Sequence, residues 1–248
     1  TEPTRKALLE IQKEGKIVVL ASGRPINGVA PLADILEMEK YGGYMLSFNG
    51  ARITRCSTGE IVYHRTLPPS VIRPIYETVK TYPGVDIISY TDTEILSGIC
   101  SNEYTEKEKF INNMKIVPVA DFRDALDFPV NKLLLPGPPE LLEEIMPRLK
   151  EEYHSLLNIY RSEPYFLEIM PQNIDKAHSL QKLLSSIGLT ADEMICCGDG
   201  YNDLSMIEYA GLGVAMENAQ PVIKEAANFV TRSNDEDGIL SVIDRFMR

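Results

Sequence analysis

The segment MICCGDGYNDLSMI, residues 194–207, decides which fold the sequence predicts. Its first four residues are apolar, which is typical of a strand covered on both faces in a parallel sheet. The apolar positions after Asp203 follow the spacing of one face of a helix. Asp199 and Asp203 therefore come after the carboxyl end of a strand, where open α/β sheets bind their ligands. We expect a doubly wound α/β core with its site at this turn.

Regular alternation of helices and strands extends from this segment along most of the chain. The first fifty residues read as helix, strand, helix, strand, and the alternation returns from residue 175 onward. Each predicted strand is short and almost wholly apolar, as in a parallel sheet. The predicted strands are 17–21, 44–48, 194–197 and 212–215, and the predicted helices include 4–14, 27–40, 175–187, 203–210 and 219–227.

The middle of the chain follows a different pattern. Its predicted strands come in adjacent pairs, which is typical of an α+β module with an antiparallel sheet. A Leu-Pro-Pro sequence at residues 67–69 interrupts the alternation and marks the start of this region. We therefore predict that an inserted α+β domain at 69–165 interrupts a core domain formed by 1–68 and 166–248.

The composition excludes several classes of protein. The chain has 36 acidic residues against 25 lysines and arginines, a net charge of -11, so the basic surface of a nucleic-acid-binding protein is not expected. No run approaches the roughly 18 apolar residues of a membrane span, and Thr1 onward lacks a signal-peptide pattern. The 4 cysteines lack metal-ligand spacing. We expect a cytoplasmic protein with reduced thiols and no nucleic-acid or membrane partner, and the sequence predicts no oligomeric state.

The turn after the strand 194–197 supplies the oxygen ligands that Mg²⁺ prefers. Mg²⁺ usually takes only one or two carboxylates and leaves other positions to waters and substrate phosphate. The alternative interpretation is a helix N-cap, in which Asn202 or Asp203 satisfies free backbone amides. Capping accounts for one acid but not for Gly-Asp-Gly followed by Asn-Asp. The sequence therefore favours a metal site with Asp199 as the ligand.

Two further segments predict an anion-binding site. Ser22 and Gly23 follow the strand 17–21, and a hydroxyl with neighbouring backbone amides at such a junction can bind an anion. Lys176 lies in the first turn of a predicted helix, where the helix dipole disfavours a positive charge. Each feature also has a simpler explanation when it is considered alone. Ser22 and Gly23 can form an ordinary turn, and Lys176 can be a solvated lysine. Arg24, which follows Gly23, can form a surface ion pair.

Taken together, the motifs of this sequence resemble those of the Cof-type phosphatases of the haloacid dehalogenase superfamily. Their order and spacing match over essentially the whole chain. The resemblance implies an α/β fold with a Rossmann-like parallel-sheet core interrupted by an inserted cap domain, and Mg²⁺ as the cofactor. The matching motifs are Ser22-Gly23-Arg24-Pro25, Phe48-Asn49-Gly50-Ala51, Leu167-Glu168-Ile169, Asp175-Lys176, Gly198-Asp199-Gly200-x-Asn202-Asp203-x-x-Met206 and Gly213-Val214-Ala215-Met216-x-Asn218-Ala219.

The same resemblance implies a chemical role for each residue at the centre of the site. Ser22 would bind oxygens of the transferring phosphoryl group, and Asn202 would contact the same group. Lys176 would neutralise charge between the phosphate and the nucleophile. Asp199 would ligate Mg²⁺, and Asp203 would orient Lys176 or a metal-bound water.

Three more residues are implied to guide the substrate. Asn49 and Gly50 would line the entrance that faces the cap, and Arg24 would steer the anionic substrate. A cap of roughly a hundred residues is domain-sized, and its closure would exclude macromolecules. We therefore expect a small phosphorylated metabolite, such as a sugar phosphate, as the substrate.

One motif of that family is absent from the sequence. The family carries Asp-x-Asp-Gly-Thr on the first core strand, and its aspartate nucleophile forms an aspartyl-phosphate. We expect this strand to precede Thr1 in the parent protein, since a gap inside a parallel sheet would leave buried backbone groups unpaired at about 1–3 kcal/mol each. The alternatives are a catalytically inactive phosphate-binding or regulatory relative and a sugar phosphomutase.

Overall fold

The computed structural model describes every residue from Thr1 to Arg248 and divides into two compact units. The core unit comprises Thr1–Gly23, Val29–Tyr63 and Asp175–Arg248, and the inserted unit comprises Arg24–Gly28 and His64–Ile174. The chain therefore leaves the core unit twice, briefly after Gly23 and for more than a hundred residues after Tyr63. The predicted class, an α/β core interrupted by an inserted region, is confirmed.

Both units consist of α-helices and β-strands. No helix combines the length and the apolar composition that crossing a bilayer requires. The helices are α1 (Glu2–Lys13), α2 (Ala30–Ile35), α3 (Met38–Tyr41), α4 (Pro69–Val79), α5 (Glu103–Asn112), α6 (Phe122–Ala125), α7 (Pro139–Tyr153), α8 (Lys176–Ile187), α9 (Leu204–Tyr209), α10 (Pro221–Ala226) and α11 (Gly238–Phe246). The strands are β1 (Val19–Ala21), β2 (Tyr44–Ser47), β3 (Arg52–Arg55), β4 (Ile61–His64), β5 (Ile88–Tyr90), β6 (Glu94–Ser97), β7 (Lys115–Pro118), β8 (Leu133–Pro136), β9 (Leu157–Glu163), β10 (Phe166–Pro171), β11 (Ile195–Gly198), β12 (Leu212–Ala215) and β13 (Phe229–Val230).

Two sheets form the centre of the core unit, with the strand orders β1-β2-β3-β4 and β11-β12-β13. β1 pairs with β2 in parallel, and β12 pairs in parallel with both β11 and β13, whereas β2 and β3 are antiparallel. Buried side chains from strands and helices, among them Leu46, Ile53 and Ile207, pack in one cluster. β2 and β12 are largely buried, and burial requires apolar side chains. Both strands could therefore be predicted from their apolar runs.

β1 lies at one edge of the first sheet and β11 at one edge of the second, and the two strands do not pair with each other. Each therefore presents backbone N–H and C=O groups along an edge that no strand covers. Lys176 nevertheless joins the ends of both strands. Its Nζ donates to Ala21 O at 3.2 Å and also to Asp203, which follows β11.

One six-stranded sheet forms the inserted unit, with the strand order β7-β6-β5-β8-β10-β9. Neighbouring strands are antiparallel except for β6 and β7. The helices α4 and α7 contribute Ile75, Ile145 and Leu149 to an apolar cluster that also contains Leu133 of β8 and Leu167 of β10. The inserted unit is thus the α+β module that the paired strands indicated.

The limits of the units differ from the predicted domain limits on both sides of the insertion. β10 pairs with β8 and with β9, so residues 166–174 belong to the inserted unit and not to the core. Residues 164–165 are the turn of the β9–β10 hairpin. On the other side, Leu67 N donates to Val130 O at 2.8 Å, which binds the segment 64–68 to the inserted unit.

The single helix predicted at 27–40 is divided in the structure. A 3₁₀ helix, Ile26–Gly28, precedes the two short helices α2 and α3. Glu37 separates α2 from α3 because its φ of 49° is left-handed, a conformation that cannot continue a right-handed helix. The other core elements lie within a few residues of their predicted positions.

Candidate active site

Predicted site residues cluster at the carboxyl ends of three strands of the core unit. Strand β1 leads to Ser22, β2 leads to Asn49 and Gly50, and β11 leads to the turn 199–203. Lys176 is the first residue of α8. β1 and β2 are parallel, so Ser22 and Asn49 emerge at the same edge of one sheet. Hydrogen bonds made by Lys176 and Asn202 connect this edge to the turn after β11, which belongs to the other sheet.

Arg24 is the one predicted site residue outside the core unit. It is exposed and begins the Arg24–Gly28 segment of the inserted unit. A Cβ on Gly28 would lie 2.8 Å from Asn112 Oδ1 and 3.1 Å from Arg24 Cβ, so this segment packs closely against the end of α5. The steering role of Arg24 stays a prediction.

Lys176 and Asp203 form a buried ion pair. Their exposed fractions are 4% and 6%, and the Lys176 ammonium donates to Asp203 Oδ1. The second oxygen, Oδ2, accepts from the backbone N–H of Asp199 at 2.9 Å and of Gly200 at 3.0 Å. A buried carboxylate is tolerated when its lone pairs are filled in this way. Asp203 therefore holds Lys176 in place and shapes the turn. Both of its carboxylate oxygens accept hydrogen bonds from the protein itself.

Each of the two glycines of the turn lies where a side chain would meet a close neighbour. A Cβ on Gly198 would lie 2.5 Å from the Cβ of Asp203, and a Cβ on Gly200 would lie 2.8 Å from Asn202 Oδ1. Both distances are well below van der Waals contact. Gly198 lets the chain fold back so that the Asp203 carboxylate reaches the backbone amides of Asp199 and Gly200, just before the 3₁₀ turn Tyr201–Asp203.

Asp199, the predicted metal ligand, is exposed at the same turn. Its Oδ2 accepts from Asn218 Nδ2 at 2.9 Å, and its backbone carbonyl accepts from Gln220 N at 3.0 Å. No group of three or more His, Cys, Asp and Glu side chains in the structure could hold a metal ion. A single accessible carboxylate suits Mg²⁺, which keeps waters and takes substrate oxygens, better than Zn²⁺, which needs several nitrogen or sulfur ligands.

The segment after β2 has an unusual backbone that positions Asn49. Phe48, Asn49 and Gly50 have φ values of 51°, 54° and 103°. Left-handed conformations cost a residue other than glycine roughly 1–2 kcal/mol, and such strain is concentrated at functional sites. Two hydrogen bonds hold the segment: Ser179 Oγ donates to Gly50 O at 2.7 Å, and Asn49 N donates to Ser22 O at 3.0 Å.

Asn49 connects the segment after β2 to the turn after β11. Its Oδ1 accepts from Asn202 Nδ2 at 2.9 Å. A Cβ on Gly23 would lie 2.8 Å from the same Oδ1, which explains why glycine follows Ser22. The Ser22 backbone is fixed as well, since its N–H donates to Leu46 O at 2.9 Å. The structure thus brings Ser22, Asn49 and Asn202 together by hydrogen bonds between their segments.

Sequence reasoning missed two residues that organise this site. Ser179, one turn into α8, holds Gly50, and a Cβ on Gly50 would lie only 2.5 Å from the Ser179 Oγ. Asn218 contacts Asp199 from a separate loop. Asn218 lies in a motif that carried the family resemblance, but no spacing rule gave it a role. No sequence signal indicated Ser179.

Cys196 and Cys197 are strand residues of β11, as predicted. Both are free thiols, and burial raises the pKa of each from 9.0 to about 12. Because the neutral thiol is favoured throughout the physiological range, neither is a reactive nucleophile or a ready metal ligand.

Comparison with known proteins identifies the relatives of this chain. The model of the haloacid dehalogenase-like hydrolase family matches residues 1–243. A crystal structure of a haloacid dehalogenase-like hydrolase from Bacteroides thetaiotaomicron is 44% identical, with a TM-score of 0.95 over 99% of this chain and 92% of that one. YxeH of Bacillus subtilis, which carries a provisional phosphatase name, is 32% identical over 98% of this chain and 90% of its own length. The subclass IIB sugar phosphatase BT4131 is 25% identical, with a TM-score of 0.79 over 100% of this chain and 92% of that one.

Proposed function

The chain belongs to the haloacid dehalogenase-like hydrolases, and we propose that it is a Mg²⁺-dependent phosphatase of small phosphorylated metabolites, with sugar phosphates as the preferred substrates. The observation that carries the proposal is the geometry around the turn 199–203. A buried lysine paired with Asp203 lies beside an exposed carboxylate at the carboxyl edge of the core strands. That arrangement offers one fixed cation to a phosphate group and one hard oxygen ligand to Mg²⁺.

Lys176, Ser22 and Asn202 are the residues we assign to the phosphoryl group. Lys176 is held by Asp203 and by Ala21 O, so its charge is fixed before substrate arrives. Preorganised charge of this kind stabilises a transition state without reorganisation. Ser22 follows Ala21 directly, and Asn202 is exposed and aligned by Asn49. These contacts support a site that binds the three equatorial oxygens of a transferring phosphoryl group.

Asp199 is the residue that would hold Mg²⁺. When bound, the ion would neutralise phosphate charge and align the phosphoryl group with its attacking oxygen. The donor set supports this assignment because Asp199 is accessible, whereas both oxygens of Asp203 are already engaged. Within this chain we assign a single carboxylate ligand, with other positions left to waters and substrate, as Mg²⁺ sites commonly have.

The nucleophile in this proposal is an aspartate on a further strand between β1 and β11. The uncovered edges of both strands support such a strand, and Lys176 links the two strand ends at which the nucleophile would emerge. The aspartate oxygen would attack phosphorus while the bond to the leaving alkoxide breaks. Water would then hydrolyse the aspartyl-phosphate and release inorganic phosphate, regenerating the carboxylate.

The substrate class rests on the relatives and on the charge of the chain. BT4131, with a similar fold over the full chain, is a sugar phosphatase. A net charge of -11 disfavours nucleic acids and other polyanions, while Lys176 can still attract one phosphate group. The predicted location is the cytoplasm. The predicted substrate is a small metabolite rather than a phosphoprotein.

A substrate screen with protein expressed from the complete reading frame tests the proposal. We expect Mg²⁺-dependent release of phosphate from sugar phosphates at higher kcat/KM than from phosphopeptides or oligonucleotides. Interconversion of sugar phosphate isomers without net phosphate release would identify a phosphomutase instead. Binding of phosphate without turnover would identify a non-catalytic relative. Fastest turnover of phosphopeptides or oligonucleotides would overturn the assignment to small metabolites.

A further inference from the structure

Asn218, in the loop between β12 and α10, contacts the predicted metal ligand through one end of its side-chain amide. Its Nδ2 donates to Asp199 Oδ2 at 2.9 Å, and its Oδ1 accepts from Asn234 N at 3.0 Å. The second bond fixes which end of the amide faces Asp199, because only the oxygen can accept from a backbone N–H. The NH₂ group of Asn218 is therefore directed at the carboxylate.

The Asn218 loop does not depend on this side chain for its position. Backbone hydrogen bonds join the loop to the turn on both sides of Asn218, from Met216 N to Gly198 O and from Gln220 N to Asp199 O, each 3.0 Å long. A further backbone bond within the loop, from Ala219 N to Met216 O, is 2.9 Å long. The contact between Asn218 and Asp199 is thus an addition to a loop that the backbone already holds.

A neutral donor at this position has a specific chemical consequence. An exposed carboxylate rotates freely unless a partner restrains it, and Asp199 is exposed. The amide restrains Oδ2 without cancelling the negative charge, as a lysine or arginine would. Partners of this kind orient metal ligands, and their loss typically costs about 10–100-fold in metal affinity or activity.

We propose that Asn218 is the positioning residue for Asp199, holding one carboxylate oxygen so that the other is presented to Mg²⁺. The inference rests on the proposed function, because it assumes that Asp199 is a metal ligand. Asn218 thereby gains a role in metal binding. Its hydrogen bond with Asn234 connects the metal site to the segment that precedes α11.

The Asn218→Ala variant tests this assignment through metal affinity measured without substrate. Titration calorimetry with MgCl₂ should show binding weakened about 10–100-fold. Phosphate release should show the same increase in the Mg²⁺ concentration for half-maximal activity, with kcat near wild type at saturating Mg²⁺. The thermal midpoint in EDTA should shift by less than about 2 °C, as for a surface substitution.

Asn228→Ala is the matched control. Asn228 is also an exposed asparagine of the core unit, and its Oδ1 accepts from the backbone N–H of Gly213 at 2.7 Å, but no hydrogen bond joins it to Asp199. Its removal should leave the Mg²⁺ affinity unchanged. Equal Mg²⁺ affinity in wild type and Asn218→Ala would overturn the inference while leaving the phosphatase proposal intact. A loss of activity that added Mg²⁺ does not restore, together with a lower thermal midpoint, would also overturn the inference.

The proposed function can fail separately. Wild-type protein that binds Mg²⁺ but releases no phosphate would overturn the phosphatase proposal, and the calorimetric comparison of the two asparagine variants would still decide the role of Asn218. Wild-type protein that binds no Mg²⁺ would overturn both.

Discussion

Each unit of the molecule contains one buried lysine–carboxylate pair, and the two pairs are built differently. In the core unit Lys176 donates directly to Asp203, whose other oxygen accepts from two backbone amides. In the inserted unit Lys132 Nζ lies 3.8 Å from Glu168 Oε1, beyond hydrogen-bond distance. Glu168 accepts from the hydroxyl of Tyr160 at 3.1 Å.

The two lysines also differ in the groups that surround them. Lys132 lies over the ring of Tyr90, with its Nζ 5.1 Å from the ring centre, and both members of its pair are less than a tenth exposed. Lys176 instead donates to the backbone carbonyl of Ala21. Buried charges are costly unless hydrogen bonds fill their valences. The core-unit pair is therefore integral to the turn that forms the site, whereas the inserted-unit pair is a looser contact that apolar residues could replace.

The largest expected effect is that of Lys176→Met. The substitution leaves the Asp203 carboxylate buried without its cation, which costs about 3–5 kcal/mol of unfolding free energy. Urea unfolding measures this loss, and Lys182→Met, at an exposed position of the same helix, is the control. A loss below about 1 kcal/mol, within the range of exposed pairs, would show that the pair is not structurally important.

The double variant Lys176→Met/Asp203→Leu sharpens this prediction. It removes both charges but strands the N–H groups of Asp199 and Gly200, which lose their acceptor. Both amides are only partly buried, so each lost hydrogen bond costs about 0.5–1.5 kcal/mol. The double variant should therefore stay clearly less stable than wild type. Recovery to wild-type stability in urea unfolding would mean that the amides do not need Asp203.

A smaller effect is expected for the inserted-unit pair. Lys132→Met alone strands Glu168 and should lower the unfolding free energy by about 1–3 kcal/mol. The double variant Lys132→Met/Glu168→Leu should recover most of that loss, because apolar replacement of a buried pair is often neutral or stabilising. If the inserted-unit double variant were as unstable as the core-unit double variant, the comparison between the two pairs would be wrong.

The smallest expected effect concerns the cysteines of the two units. Burial raises the pKa of Cys196 and Cys197 from 9.0 to about 12, whereas Cys100 of the inserted unit is exposed. The neutral buried thiols favour the folded state below pH 9, and that contribution is lost as pH rises from about 9 towards 12. Iodoacetamide at pH 8 should label Cys100 in native protein and the β11 cysteines only after unfolding. Rapid native labelling of Cys197, followed by mass spectrometry, would show that β11 is open to solvent.

Local sequence patterns predicted the turn after β11 because its structure depends on neighbouring residues. Gly198, Gly200 and Asp203 interact within six residues of each other, and their spacing is visible in the sequence. The short apolar strands were predictable for the same reason, since burial on both faces leaves a local signature.

Features that depend on distant pairing could not be predicted. The sequence of β10 is mostly apolar, but nothing in it indicates that its partners are β8 and β9 of the inserted unit rather than core strands. Asn218 and Asp199 are 19 residues apart, and only the fold brings them together. The left-handed backbone at Phe48 has no sequence signal either, because a bulky side chain disfavours that conformation.

Whether Asp199 holds Mg²⁺ in a working phosphatase is decided by comparing phosphate release by wild-type protein and by Asp199→Asn, both expressed from the complete reading frame. We expect wild-type protein to release phosphate from a sugar phosphate, and we expect this release to stop when EDTA removes Mg²⁺. In Asp199→Asn, kcat/KM should fall by more than about 100-fold, since even partners of metal ligands contribute about 10–100-fold, while the thermal midpoint in EDTA stays close to that of wild type. Equal turnover by the two proteins at the same Mg²⁺ concentration would show that Asp199 is not the metal ligand.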